Sequence, residues 1–233
     1  MTNSTQFVST SASGIVVWIA LMLCGCSLLT PAKSPPPIRY SFESASFDSA
    51  ASAIAVQSIP SANEKIHAPT LVIGSPRAAP GFDSHQMAYI RLSHRLEYFR
   101  QSEWIAAPAS MLAPIIAAAL ERSGQFSAVV HAPTSIVGQL RLDVEIVRLQ
   151  QEFFKLPSQV HFTLRAHLLD ASTRQVIAWH EFDSLVAAAS EDPYGGVIAT
   201  NTVIRNVMKE LADFCVLAVN EQKKLSKDNS KTN

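Results

Sequence analysis

Leu140-Arg-Leu-Asp-Val-Glu-Ile146 and Val160-His-Phe-Thr-Leu-Arg-Ala-His-Leu168 decide the fold. In the first segment Leu140, Leu142, Val144 and Ile146 alternate with Arg141, Asp143 and Glu145. In the second, Val160, Phe162, Leu164, Ala166 and Leu168 alternate with His161, Thr163, Arg165 and His167. Successive side chains of a strand point to opposite faces, so a period of two gathers the apolar residues on one face and the polar ones on the other. One buried face and one wet face indicate antiparallel pairing, because parallel sheets are covered on both sides.

Residues 175–186 read as a third strand after a turn at Asp170-Ala-Ser-Thr173. Upstream, residues 38–43, 70–74 and 126–130 read as short strands, and 86–91 and 94–100 as two strands joined by a tight turn. Residues 108–123 carry a helical stripe of Met111, Leu112, Ile115, Ile116, Ala119 and Leu120. Pro108 suits the first turn and Gly124 the C-terminal cap, while Pro114 is discordant. A last helix is expected from about Gly196 to Gln222, with Ile204, Val207, Met208, Leu211, Cys215 and Ala218 on its apolar face. The expected architecture is α/β: a mixed, mostly antiparallel sheet covered by two main helices in a single domain.

The N-terminus carries a separate message. Gly14-Ile-Val-Val-Trp-Ile-Ala-Leu-Met-Leu23 is an apolar run far shorter than the roughly 20 residues a bilayer span needs, and it matches the core of a secretory signal. Leu23-Cys-Gly-Cys26 follows at once: an apolar residue, two small ones and a cysteine, the lipobox pattern. Cys26 is therefore the expected lipidation site. Residues 1–23 hold no Lys or Arg, so only the α-amino group supplies the positive n-region. Three consecutive prolines, Pro35-Pro-Pro37, favour an extended spacer. The roughly 12 residues between Cys26 and Ile38 reach at most about 40 Å. Residues 1–25 are thus expected to be a lipoprotein signal peptide, 26–37 a Pro-rich tether, 38–221 the domain and 222–233 a disordered tail. Residues 44–68, rich in Ala and Ser, read as a loop or weakly structured insertion.

Composition narrows the function classes. The 233-residue chain has 19 Lys+Arg and 19 Asp+Glu, so it carries no basic field to attract nucleic acid. With 16% charged and 48% hydrophobic residues it is not a disordered chain. Of three cysteines, Cys24 leaves with the signal and Cys26 is acylated, so Cys215 is left without a disulfide partner, and its apolar helical surroundings suit an inert thiol.

There is no GxGxxG, GxxxxGK[ST], GxSxG or HExxH pattern, and no CxxC pair in the mature chain, so this is not the ATP-hydrolysing subunit of a transporter. His161 and His167 share a polar strand face but stand roughly 20 Å apart, too far for one metal ion, and read as solvated surface. Asp143 and Glu145, about 7 Å apart, read as an ordinary wet face beside Arg141, and Glu181 and Asp183 likewise. Ser84-His85 and Ser93-His94 are mere sequence neighbours. No catalytic residue, metal or cofactor is expected. Tyr89, Tyr98, Phe99 and Trp104 crowd one stretch together with Arg91, Arg95 and Arg100. Part of it must be core, and aromatics beside arginines also mark protein–protein contacts. Arg91, Arg95, Arg100, Tyr98 and Trp104 are the candidate partner-binding residues, the arginines ahead of the aromatics.

That stretch, from Gln86 to Leu112, also carries a resemblance. It is similar to the auxiliary lipoproteins of ABC-type transport systems, the family of the paraquat-inducible protein C lipoprotein. Their pattern runs M-x-Y-R, L-x-Y-(Y/F), x-W-x-x-x-P-x-x-M-L, then a helix and S-G-x-F. Met87, Tyr89, Arg91, Leu96, Tyr98, Phe99, Trp104, Pro108, Met111, Leu112, Ser123, Gly124 and Phe126 match it. Ile90 departs from it by separating Tyr89 from Arg91. The resemblance implies a non-enzymatic component of a lipid or toxic-compound export system. It would be anchored in the envelope facing the periplasm, where it docks a mammalian-cell-entry-domain protein that works with an ABC permease and ATPase. Ser27 after the lipidated cysteine leans towards the outer membrane by analogy with enterobacterial sorting. A lipoprotein holding an apolar ligand is the alternative, a secreted enzyme a third reading, and a homo-oligomer is left open.

Overall fold

The computed structural model describes residues 35–43 and 68–231, with 225–231 as helical backbone alone. Its elements follow as β1 (Ile38–Tyr40), β2 (Thr70–Ile73), β3 (Arg77–Ala78), β4 (Gln86–Ile90), β5 (Leu96–Trp104), α1 (Pro108–Arg122), β6 (Ala128–His131), β7 (Leu140–Glu152), β8 (Gln159–Asp170), β9 (Val176–Ala187) and α2 (Pro193–Lys231). The signal segment, Cys26 and nearly all of the Ala/Ser-rich insertion lie outside the described residues. Residues Pro37–Asn233 form one compact unit, and Met1–Pro36 is a separate one.

The two alternating segments pair as expected. β7 and β8 are antiparallel in register from Leu140↔Asp170 to Glu152↔Gln159, and β9 continues the sheet from β8. A bulge between Ile146 and Arg148 inserts one residue into β7 and shifts its phase. Inward residues therefore continue as Leu149 and Gln151, and for this reason the sequence alternation fades at Ile146 although the strand runs on. The other edge of β7 is shared by three short parallel strands in series, β2, β3 and β4. β6 pairs with β2, and β5 joins β4 to β1. The five parallel ladders are short, so most paired residues are antiparallel. The two residues of β3 carry no alternation, and this strand was not expected from the sequence.

One face of the sheet is covered by both helices. Leu142, Val144, Phe162 and Leu164 point into a single core with Leu112, Ile116 and Leu120 of α1 and Val203, Ile204, Val207, Met208 and Leu211 of α2. Pro114 is tolerated inside α1 because it lies on the exposed side, where the carbonyl of Ser110 that loses its intrahelical donor faces water. α2 begins three residues before the expected Gly196. Asp192 caps it, its carboxylate accepting the Gly195 N–H at 2.7 Å, and Pro193 occupies the first turn. The helix also runs past Gln222 to Lys231, where a frayed tail was expected, since no Gly or Pro interrupts residues 222–231. Cys215 is fully buried, and burial pushes its thiol up to about 12, in keeping with an inert thiol.

Candidate functional site

The face of β7–β9 turned away from the helices carries a connected set of charged side chains. Alternation delivers Glu145, Arg165 and Glu181 to neighbouring positions on three successive strands. The Arg165 guanidinium meets Glu181 at 2.7 Å and Glu145 at 3.5 Å, so one cation joins two carboxylates across the sheet. Near the far end of the strands His161 joins Glu152 at 2.9 Å through Nδ1 and Asp183 at 2.8 Å through Nε2. The Thr163 hydroxyl donates to the same Asp183 oxygen at 2.5 Å, and the Arg148 guanidinium lies against the ring, Nη1 3.0 and 3.1 Å from its two nitrogens. Burial pushes the Asp183 carboxyl up, but the hydrogen bonds from Thr163 and His161 and the nearby positive charge outweigh it and hold it below the usual range. His161 was expected as a solvated surface residue. It is instead a half-buried hub, because the bulge at 146–148 turns Arg148 and Glu152 onto its face.

Two large apolar side chains stand among these paired charges. Trp179 is 62% exposed and stacks on His167, ring centroids 6.4 Å apart, and Leu185 is 47% exposed on the same face. At the opposite end of the strands from His161 the 132–138 segment leaves a cleft of about 750 Å³. Val72, Ile136, Val137 and Leu169 supply its apolar wall, and Arg141 and Arg174 its cations. Arg141 is held by Asp143 at 2.9 Å, the ordinary wet-face pairing expected for that carboxylate. Asp170, which closes the β8–β9 turn, is brought down to about 2 by the Ser172 hydroxyl and the Thr173 and Ser172 N–H groups that donate to it.

The sequence-nominated partner residues do not form one patch. Trp104 is 4% exposed and packs edge-on against Phe42, centroids 5.0 Å apart, so it belongs to the core that anchors the first strand and not to an accessible surface. Tyr98 is half-buried, and its hydroxyl donates to the Gly81 carbonyl. Arg100 is exposed on β5. Arg91 lies over the rings of Tyr89 and Phe153 at 5.2 and 5.4 Å, and Arg95 pairs with Glu97 at 2.8 Å. The Tyr89 hydroxyl also donates to Glu97, which raises the Tyr89 pKa above its ordinary value. Sequence reasoning missed Trp179, although its place one residue before His180-Glu-Phe182 in an alternating strand marks it as outward-facing.

Among the described residues no group of three His, Cys, Asp or Glu side chains is placed to hold a metal ion, and no helix is long and apolar enough to cross a membrane. The polar groups of the open face are joined to one another, which suits recognition of a surface.

The family model of the ABC-type transport auxiliary lipoprotein component matches residues 51–212. The fold is similar to the crystal structure of a protein from Xanthomonas campestris at 21% identity, covering 67% of this chain and 89% of that one with a TM-score of 0.63. A second solved structure, of an uncharacterized protein, is similar at 11% identity over 63% of this chain and 91% of its own, with a TM-score of 0.54. No curated protein matches the sequence.

Proposed function

The chain belongs to the family of ABC-type transport auxiliary lipoproteins, and from that premise we propose that it is a non-enzymatic, lipid-anchored docking component on the periplasmic side of the envelope, at the outer membrane. Cys26 carries the anchor. The partner is a mammalian-cell-entry-domain protein working with an ABC permease and ATPase, and the open face of β7–β9 receives it. The observation that carries this reading is the exposure of Trp179 and Leu185 among charges already paired with one another. Paired charges need little rearrangement on docking, and a rigid, exposed tryptophan is the side chain that most often dominates binding energy. Arg100, exposed on β5, remains a contact candidate.

The test is the affinity of the full chain for the mammalian-cell-entry-domain protein. Trp179→Ala is expected to weaken binding about tenfold or more, as loss of a central aromatic anchor does, without moving the melting temperature. Unchanged affinity for Trp179→Ala and Leu185→Glu moves the interface elsewhere, and a wild-type protein that does not bind refutes docking itself. The cleft roofed by residues 132–138 favours a second reading, in which the domain holds a lipid. Lipid co-purifying with the wild type and lost on Ile136→Glu, followed by mass spectrometry, supports it.

A further inference from the structure

The end of the sheet remote from the cleft carries apolar side chains that neither the core nor the open face uses. The β4–β5 turn reads Arg91-Leu-Ser-His-Arg95, and the β7–β8 turn Phe153-Phe-Lys-Leu-Pro157. The turns adjoin, since the Phe153 N–H donates to the Ile90 carbonyl at 2.9 Å. Leu92 is 60% exposed, Phe154 52% and Leu156 81%. Arg91, Arg95 and Lys155 alternate with them, and neither turn holds an acidic residue. Glu97 is engaged by Arg95 and Tyr89, Glu152 by His161, Glu191 by the Ser158 N–H, and Asp192 by Ser190 and Gly195.

β1 runs parallel to β5 and pairs with its last three residues, Ile38 opposite Ser102 and Tyr40 opposite Trp104, so the chain enters beside the end of β5 remote from the β4–β5 turn. Tyr40 packs on Tyr194 at the start of α2, ring centroids 6.3 Å apart, and the loop before α2 is tied to the β7–β8 turn by the Ala188 N–H on the Ser158 carbonyl.

We propose that the paired turns 91–95 and 153–157 form a membrane-contact tip, in which Leu92, Phe154 and Leu156 enter the interfacial zone of a bilayer and Arg91, Arg95 and Lys155 meet anionic phospholipid headgroups. The proposal rests on the anchor at Cys26. Apolar side chains on projecting turns, interleaved with cations, fit the headgroup–acyl boundary. The tip fixes which end of the domain faces the membrane.

The experiment places a photo-crosslinking phenylalanine analogue at position 156, or at position 137 at the other end of the sheet, in the full chain. Each protein is bound to vesicles of phosphatidylethanolamine and phosphatidylglycerol, floated and irradiated. Lipid adducts are expected at 156 and not at 137, and Leu92→Glu should lower the yield at 156 about tenfold, the loss expected when one leucine no longer inserts. The combined change Arg91→Glu and Lys155→Glu should lower it further in phosphatidylglycerol vesicles than in phosphatidylcholine ones. Flotation without adducts at 156, or equal adducts at 137, overturns the tip and leaves the anchor standing. Failure to float overturns both. Adducts at 156 to the periplasmic partner in place of lipid, when both are supplied, also overturn the tip.

Discussion

Phe162→Ala tests the assignment of faces on which everything else depends. Phe162 is 0% exposed and stands on β8 between Leu149 of β7 and Ser184 of β9, on the side covered by the helices. Truncation removes on the order of 100 Å² of buried apolar surface, which at about 25 cal/mol per Å² costs about 2.5 kcal/mol. The sheet beneath it is fixed by ladders on both sides and cannot close the gap. A residual void on the order of 60 Å³, at about 24 cal/mol per Å³, adds roughly 1.5 kcal/mol. The expected loss is about 4 kcal/mol, which in a domain of this size lowers the melting temperature by about 8–16 °C. The assay is thermal unfolding followed by circular dichroism, with a urea titration to check that the slope is unchanged. Asp143→Asn is the control from the opposite face. It disturbs one partly exposed pair with Arg141 and should cost well under 1 kcal/mol. A Phe162→Ala protein that melts with the wild type, or an Asp143→Asn protein that loses as much, shows that the faces are inverted.

Trp104→Ala should destabilise by about 3–5 kcal/mol in the same assay, because it opens the core beneath Phe42 and releases β1, whereas Arg100→Glu, on the exposed side of β5, should stay within about 0.5 kcal/mol. The hydrogen-bonded turn at Asp170 predicts a pH dependence: its carboxyl is at about 2 when folded against 3.8 as the ordinary value, so its stabilisation is complete above pH 4 and is lost as pH falls from there to about 2. Asp170→Ala should flatten that part of the stability-versus-pH curve measured by urea unfolding, and a curve parallel to that of the wild type refutes the assignment. Cys26→Ser should leave an unprocessed chain without acyl groups, whereas the wild type should carry them and partition into detergent. An intact Met1 terminus without lipid in the wild-type mass spectrum sinks the anchor.

The three long strands could be read in advance because each has a long run that keeps one period and buries one face, so that a single rule places the side chains of that run. What escaped was whatever breaks a period. The bulge at Ile146–Arg148 carries no marker such as glycine, yet it decides that Arg148 and Glu152 share a face with His161. Without it His161 looks like one more solvated position in an alternating strand. β3 escaped because two residues have no period at all, and the start of α2 was misplaced because the apolar stripe outweighed the Asp192-Pro193 start signal. The site was harder still. Composition within Tyr89–Trp104 cannot separate a core aromatic from a surface one. Trp104 and Arg95 are nine residues apart on one strand and its turn, and one is buried while the other is open to water. The exposed triad of Leu92, Phe154 and Leu156 is assembled from two turns some sixty residues apart in sequence, and only the ladder between β4 and β7 brings them together.

The proposed tip and the open face constrain one another. If the turns at 91–95 and 153–157 rest on the bilayer, β7 leads away from it. Thirteen residues at about 3.3 Å each raise the far end of that strand, and with it the cleft beneath residues 132–138, by about 40 Å. Trp179 lies on β9 opposite His167, towards the cleft end of the sheet, while the His161 hub lies nearer the tip. A periplasmic protein approaching from the side opposite the membrane would then meet the cleft first and Trp179 next, clear of the headgroups. A partner that approached along the membrane would meet the His161 hub first. These two approaches predict different crosslinks. The photo-reactive group at position 137 should capture the mammalian-cell-entry-domain protein in the first case, and one at Asp183 should do so in the second. With the chain held on vesicles, partner adducts at 183 without any at 137 would show an approach along the membrane and refute an approach from the side opposite it.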